Sequence, residues 1–122
     1  MSKIHIPDGL YHIVEVTLKG ARGVDQAVSR TRILEISQGM PLLRGVSDRL
    51  VRAAIEDLRE QGMLICNLLE GDGYYLAGSM AEYQEFRRKY ASYALTILSR
   101  LKAMDATAEK LYGASALQGR LL

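Results

Sequence analysis

The sequence predicts a mainly α-helical protein with one small β-hairpin and a long C-terminal helix. Three observations predict this fold: a capped stretch with one apolar stripe at residues 47 to 62, two β-prone runs around a glycine-rich turn, and residues 79 to 112, which lack glycine and proline. Of the 122 residues, 48% are hydrophobic and 25% charged, which is typical of globular domains. No apolar run approaches the roughly 18 residues of a membrane span, so we expect a soluble, cytoplasmic protein.

The best-defined helix is predicted for residues 48 to 61. The hydroxyl of Ser47 can accept a hydrogen bond from the first turn, and Asp48 interacts favourably with the helix dipole. Gly62 can end the helix in a left-handed conformation. The apolar residues follow the spacing of a single buried stripe: Val51, Ala54, Ile55 and Leu58.

A β-hairpin is predicted after this helix. Residues 63 to 69 and 74 to 77 are rich in branched and aromatic side chains, and the Glu-Gly-Asp-Gly sequence at 70 to 73 suits a tight turn. Cys66, the single cysteine, excludes an intramolecular disulfide, and its apolar neighbours predict a buried strand thiol.

Two further helices are predicted upstream. Residues 10 to 19 favour a helix, although the apolar residues at 13, 14, 16 and 18 also suit a strand. Ser29 can cap a helix over residues 30 to 37, before Gly39 and Pro41 stop it. Its apolar face consists of Ile33, Leu34 and Ile36.

The long C-terminal helix is predicted to begin at Ser79, which forms a capping box with Glu82, and to end near Tyr112. Seven residues recur at spacings of four and three: Tyr90, Ala94, Ile97, Leu101, Met104, Ala108 and Leu111. Such a seam packs against another helix, either by folding back or in a homodimer. The helix would reach about 50 Å, longer than a small domain, which favours the homodimer. We therefore divide the chain into a domain at 1–78, a dimerisation helix at 79–112 and a flexible tail at 113–122.

The charge distribution indicates a binding protein, and the absence of catalytic motifs argues against an enzyme. Residues 19 to 52 carry seven bases against three acids, whereas residues 53 to 85 carry one base against seven acids. A basic excess beside a capped helix suits phosphate binding. The sequence has no glycine-rich phosphate loop, no nucleophile with an evident base and no metal-ligand cluster, so we expect no catalysis, metal or cofactor. His5 and His12 are isolated and interpreted as incidental.

The stretch Gly-Val-Ser-Asp-Arg-Leu-Val-Arg-Ala-Ala-Ile-Glu-Asp-Leu-Arg-Glu-Gln-Gly at residues 45 to 62 resembles the winged helix domains of biotin-repressor-like bacterial regulators. It is also similar to small phage replication and regulatory proteins. The match includes the glycine-apolar-serine turn, the apolar stripe and a wing ending in Gly-Tyr-Tyr-Leu at 73 to 76. The resemblance implies a winged helix-turn-helix that binds double-stranded DNA, in a transcriptional regulator. The alternative is a protein-interaction adaptor or a replication accessory protein.

Two features depart from this family. The interval between Ser29 and Gly45 is long, so residues 39 to 44 are interpreted as an inserted loop. At the wing tip, Glu70 and Asp72 replace the basic residues that family members often use, and they should repel phosphate.

The resemblance implies that the N-terminal part of helix 48–61 enters the major groove. Its outward positions are Asp48, Arg49, Arg52, Ala53 and Glu56. Arg49 and Arg52 are the expected base readers, while Ser47 and Arg44 would contact phosphate. The alternative is that these arginines form a solvated face. The ending Gln-Gly-Arg-Leu-Leu at 118 to 122 resembles the sliding-clamp-binding peptides of bacterial replication proteins, a spacing that also arises readily by chance.

Overall fold

A computed structural model describes residues 5–68 and 73–113. It divides into two units, Met1–Phe86 and Arg87–Leu122, which we describe separately. The mainly helical class, the small antiparallel sheet and the long C-terminal helix are all confirmed. The elements in chain order are α1 (Asp8–Lys19), a 3₁₀ turn (Val24–Gln26), β1 (Val28–Ser29), α2 (Arg30–Gln38), a 3₁₀ turn (Pro41–Leu43), α3 (Asp48–Glu60), β2 (Ile65–Asn67), β3 (Gly73–Leu76) and α4 (Met80–Tyr112).

The helix α3 has the caps and the buried face that its sequence predicts. The Ser47 hydroxyl accepts a hydrogen bond from the Leu50 amide at 3.3 Å. At the other end Gly62 has φ +98°, and its amide donates to the Arg59 carbonyl while that of Met63 donates to the Leu58 carbonyl. This pair of bonds is the Schellman motif. All four predicted stripe residues are buried: Val51, Ala54, Ile55 and Leu58.

The helix α1 confirms the helical interpretation of the first apolar segment. It begins at Asp8, two residues before the predicted start, with Pro7 at the N-cap position. Leu10, Val14 and Leu18 are fully buried at a spacing of four residues, whereas Val16 is 55% exposed. A strand would have alternated burial at every second residue.

In α2 the buried stripe differs from the predicted apolar face. Ser29 caps the helix by accepting from the Arg32 amide at 3.0 Å, as expected. Ile33 is buried, but the next buried position is Ser37, whose hydroxyl donates to the Ile33 carbonyl at 2.8 Å. Leu34 and Ile36 are only half-buried. A short side chain that satisfies its hydroxyl within its own helix can occupy the core.

The sheet contains a strand that the hairpin prediction missed. Its order is β1-β3-β2, with antiparallel pairing throughout, so β3 is the central strand. Val28 pairs with Tyr74, and Ile65 pairs with Leu76. The strand β2 is shorter than predicted because Met63 belongs to the cap of α3. Most of the predicted 70–73 turn lies outside the described residues.

The segment interpreted as an inserted loop contributes to the core of the first unit. Pro41–Leu43 forms a 3₁₀ turn in which Leu43 is 5% exposed, while its neighbour Leu42 is 96% exposed. The core cluster draws on α1, α2, α3 and both hairpin strands, and its buried residues include Leu10, Val14, Leu18, Ile33, Leu43, Val46, Val51, Ile55, Leu58, Ile65 and Leu76.

The division between the two units falls inside α4, so the start of this helix belongs to the first unit. The Glu82 amide donates to the Ser79 hydroxyl at 3.1 Å, which confirms half of the expected capping box. The Glu82 carboxylate, however, accepts from the Gly78 amide at 2.9 Å and from the Val24 amide at 3.3 Å. It therefore ties the first turn of α4 to the segment before β1.

Candidate nucleic-acid interface

The predicted site residues lie at the beginning of α3 and just before it. Ser47 is the N-cap, and Asp48, Arg49, Arg52, Ala53 and Glu56 occupy the first turns. Arg44, Ser47, Arg49, Arg52 and Glu56 are exposed, whereas Asp48 and Ala53 are half-buried. The helix thus presents these side chains on the side opposite its core stripe.

Asp48 brings two arginines together at the start of α3. Its Oδ1 atom accepts from Nε of Arg30 at 2.6 Å, and its Oδ2 atom lies 3.4 Å from Nε of Arg52. Arg30 also donates through Nη1 to the Tyr74 hydroxyl at 3.5 Å. The hydrogen bonds to Tyr74 and Asp48 raise the pKa of the Arg30 guanidinium. This cluster connects the first residues of α2 and α3 with β3.

Sequence analysis did not place Arg30 in this cluster, because Arg30 lies 18 residues from Asp48. Asp48 was predicted as an outward position facing DNA. In the structure its carboxylate is shared between two guanidinium groups, so part of the local positive charge is neutralised within the protein.

The remaining bases of residues 19 to 52 divide into paired and unpaired groups. Lys19 lies 3.9 Å from Glu15, and Arg32 lies 3.6 Å from Glu35. Within residues 5–68 and 73–113, no ion pair involves Arg22, Arg44 or Arg49, and all three are exposed. These three arginines are the cations of this segment that can bind an external anion without first breaking an ion pair.

Arg59 organises the other end of α3 and was not singled out from the sequence. Its Nε donates to the Ile65 carbonyl at 2.9 Å, its Nη2 to Oδ1 of Asn67 at 2.7 Å and its Nη1 to Glu56 at 2.8 Å. The guanidinium carbon lies 5.8 Å from the ring centres of Tyr74 and Phe86. Because its side chain is only 17% exposed, Arg59 is a structural residue that fixes the hairpin against α3.

A second polar contact fixes α1 to α3. The Tyr11 hydroxyl donates to Oδ2 of Asp57 at 2.5 Å. This bond, followed by burial, raises the pKa of Tyr11 to about 12. The contact therefore ties α1 to the middle of α3.

Cys66 is a buried strand thiol, as its apolar flanks predicted. Burial raises the pKa of the thiol to about 11, so the reactive thiolate is rare near neutral pH. In the part of the chain that the structure describes, no three His, Cys, Asp or Glu side chains are grouped so that they could hold a metal ion.

A groove of about 600 Å³ lies between the start of α1 and the Pro41–Leu43 turn. Its lining is mostly apolar and includes Met40, Leu42 and Leu43, together with His5, Asp8 and His12. The two histidines, which the sequence placed in no site, therefore line the same surface.

The predicted seam of α4 is accessible in the single chain. None of the residues of α4 is buried. In the second unit Ile97 is 46% exposed, Met104 66% and Leu111 67%. Tyr90 and Ala94 are also exposed, while Leu101 and Ala108 are half-buried. No helix among the described residues combines the length and the apolar character needed to cross a membrane.

Comparison of the chain with protein-family models, curated proteins and solved structures gave no match. The resemblance of residues 45 to 62 to winged helix domains therefore stays a hypothesis. The acidic wing tip (Glu70 and Asp72) and the clamp-like ending at 118–122 lie outside the described residues.

Proposed function

We propose that the first unit is a winged helix-turn-helix that binds double-stranded DNA through α3. The observation that carries the proposal is the exposed face at the start of α3, where Arg49 and Arg52 lie opposite a fully buried stripe. The order of the elements supports the proposal: a helix, a strand, two helices and two strands. In this order α3 comes directly before the hairpin of β2 and β3, which is the position that a wing occupies.

Arg49 and Arg52 are the proposed base readers. A guanidinium group can donate two parallel hydrogen bonds to O6 and N7 of guanine. Arg49 has no ion pair among the described residues, and Arg52 contacts Asp48 through Nε, which leaves both terminal nitrogens for a base. Ala53 is suited to contact a thymine methyl group. Since Asp48 is ion-paired, we propose that it orients arginines and does not touch bases.

Phosphate contacts are assigned to Arg44 and to Ser47, which precede and cap α3. Arg44 is exposed and forms no ion pair with the described residues. Such contacts fix the position of the protein on the duplex without reading sequence. Glu56 is bonded to Arg59 at 2.8 Å, so its role is to orient that arginine.

The experiment is duplex binding measured by fluorescence anisotropy over a range of salt concentrations, after selection of preferred sequences from a random pool. We expect Arg49→Ala and Arg52→Ala each to weaken specific binding by about 1–3 kcal/mol and to relax preference at one base position. Arg44→Ala should weaken all sequences alike and lower the salt slope by about 1.

Arg32→Ala is the matched control, because it removes an exposed arginine of α2 that is paired with Glu35. We expect it to leave base preference unchanged. If the wild-type protein bound no duplex, or if Arg44→Ala, Arg49→Ala and Arg52→Ala all bound like the wild type, the DNA-binding proposal would be wrong.

The biological role that we propose is transcriptional regulation in a bacterium or phage. The second candidate is an adaptor or replication accessory protein, which the apolar surface of α4 and the acidic wing tip favour. An adaptor would give no mobility shift with random duplex. A labelled peptide of residues 113 to 122, titrated against bacterial sliding clamp, tests the replication contact, and no saturable binding below about 1 mM would exclude it.

We further propose that the protein forms a homodimer through the seam of α4. Burial of large apolar side chains such as Ile97 and Met104 is worth about 1.5–3 kcal/mol each. Two copies would present two α3 helices to a roughly palindromic site. Light scattering that gave the monomer mass of 13.6 kDa at tens of micromolar would contradict this.

A further inference from the structure

The second unit contains a helical surface with a regular heptad pattern. The spacing places Ile97, Met104 and Leu111 at equivalent d positions, together with Tyr90. The a positions are Ala94, Leu101 and Ala108. Because none of these residues is buried in the single chain, the seam can meet a second helix.

The residues beside the seam indicate how that second helix runs. In a parallel, in-register pair, each g position lies beside the e position five residues later on the partner. This rule brings Tyr93 beside Leu98 of a second copy and Arg100 beside its Asp105. Both combinations are favourable, because the first is apolar and the second joins opposite charges.

An antiparallel pair is less favourable because it aligns g with g and e with e. An antiparallel alignment centred on the seam brings Arg100 close to Arg100 of the second copy, or places Asp105 beside Leu98. Like charges, or a charge facing an apolar side chain, disfavour these alignments. The charge pattern therefore favours the parallel orientation of a second copy.

We propose that a second copy of this chain packs against α4 as a parallel, in-register coiled coil from Tyr90 to Leu111, with Arg100 and Asp105 paired between copies. This inference rests on the proposed homodimer and specifies its geometry. It does not require DNA binding.

Cysteine cross-linking tests the orientation. Ile97→Cys and Leu111→Cys are made separately and oxidised under mild conditions, while Cys66, which is buried, does not compete. In a parallel, in-register pair each new thiol lies beside the same thiol of the second copy, so both variants should form covalent dimers. In any antiparallel alignment, at most one of these positions can lie beside itself. Ser99→Cys, at the outward f position, is the control and should stay uncross-linked.

The outcomes distinguish failure of the homodimer from failure of its parallel geometry. A wild-type monomer by light scattering overturns the homodimer itself. A wild-type dimer in which one or neither variant cross-links overturns the parallel geometry. Helix content is checked by circular dichroism, so that a variant that fails to fold is replaced by Met104→Cys.

Charge reversal provides a second test. Arg100→Glu should raise the dimer dissociation constant about tenfold, since two favourable contacts become repulsive. The double variant Arg100→Glu/Asp105→Arg should restore the wild-type constant. If the single variant had no effect, or the double variant gave no recovery, the interchain pairing would be wrong.

Discussion

Replacing Arg59 by alanine should destabilise the first unit far more than loss of an exposed arginine. The side chain is 17% exposed and donates to the Ile65 carbonyl at 2.9 Å and to Asn67 at 2.7 Å. It also lies against the rings of Tyr74 and Phe86. Its removal breaks contacts between α3, the hairpin and the start of α4 at the same time.

The magnitude follows from these contacts. A hydrogen bond from a charged donor contributes about 1.5–3 kcal/mol, and a partly exposed cation–π contact about 0.5–1 kcal/mol. Because the contacts share one side chain and water can replace part of them, we expect Arg59→Ala to lower the free energy of unfolding by about 2–4 kcal/mol. Arg59→Lys, which lacks the planar fork, should lose part of this amount.

Urea denaturation followed by circular dichroism measures the loss. Glu56→Gln is the control, because it removes only the exposed ion pair with Arg59 and should cost less than about 1 kcal/mol. If Arg59→Ala cost no more than Glu56→Gln at an unchanged denaturant slope, Arg59 would not fix the hairpin to α3.

Three further predictions use the same assay. Tyr11→Phe should lose about 1 kcal/mol with the bond to Asp57. The pKa of Tyr11 is raised from 10.0 to about 12, so the extra stability of the wild type over Tyr11→Phe should be complete below pH 10 and should fall as the pH rises towards 12. A stability difference between the two proteins that stayed constant across that range would contradict the contact. Leu43→Ala should lower the free energy of unfolding by about 2–4 kcal/mol because Leu43 belongs to the core, and a loss under about 0.5 kcal/mol would show that the Pro41–Leu43 turn is a surface loop. Gly62→Ala should cost about 1 kcal/mol because its φ is +98°, whereas Gly45→Ala, which meets open space, should cost less, and equal losses would refute the cap.

The parts of the fold that were predicted from sequence depend on local information. Ser47, the apolar stripe and Gly62 all lie within one helix and its caps, so α3 was specified almost completely. The strand β1 was missed because it has only two residues, which are too few to show alternation. Its partner β3 is distant in sequence, and pairing of this kind is set by tertiary structure.

The same limit applies to the candidate site. Sequence spacing identified the outward face of α3, including Arg49 and Arg52, because helix geometry is regular. It did not identify Arg30 as a partner of Asp48 or the contacts of Arg59 with β2, since those contacts depend on how separate elements meet. The carboxylate of Asp48, which the helix spacing placed on the outward face, is shared between Arg30 and Arg52.

The position of β3 at the centre of the sheet has a consequence for the order of folding. Val28 of β1 cannot pair until Tyr74, 46 positions later, is present, and β2 has no strand partner until β3 is present. During synthesis, a chain that has emerged only as far as α3 can form helices but no sheet. Addition of β1 is then a non-local step that comes late, because the long segment between β1 and β3 must close before their pairing energy is gained, whereas β2 and β3 are close in sequence. Since both flanking strands pair only with β3 within the sheet, a substitution that weakens β3 should release β1 and β2 from the sheet together.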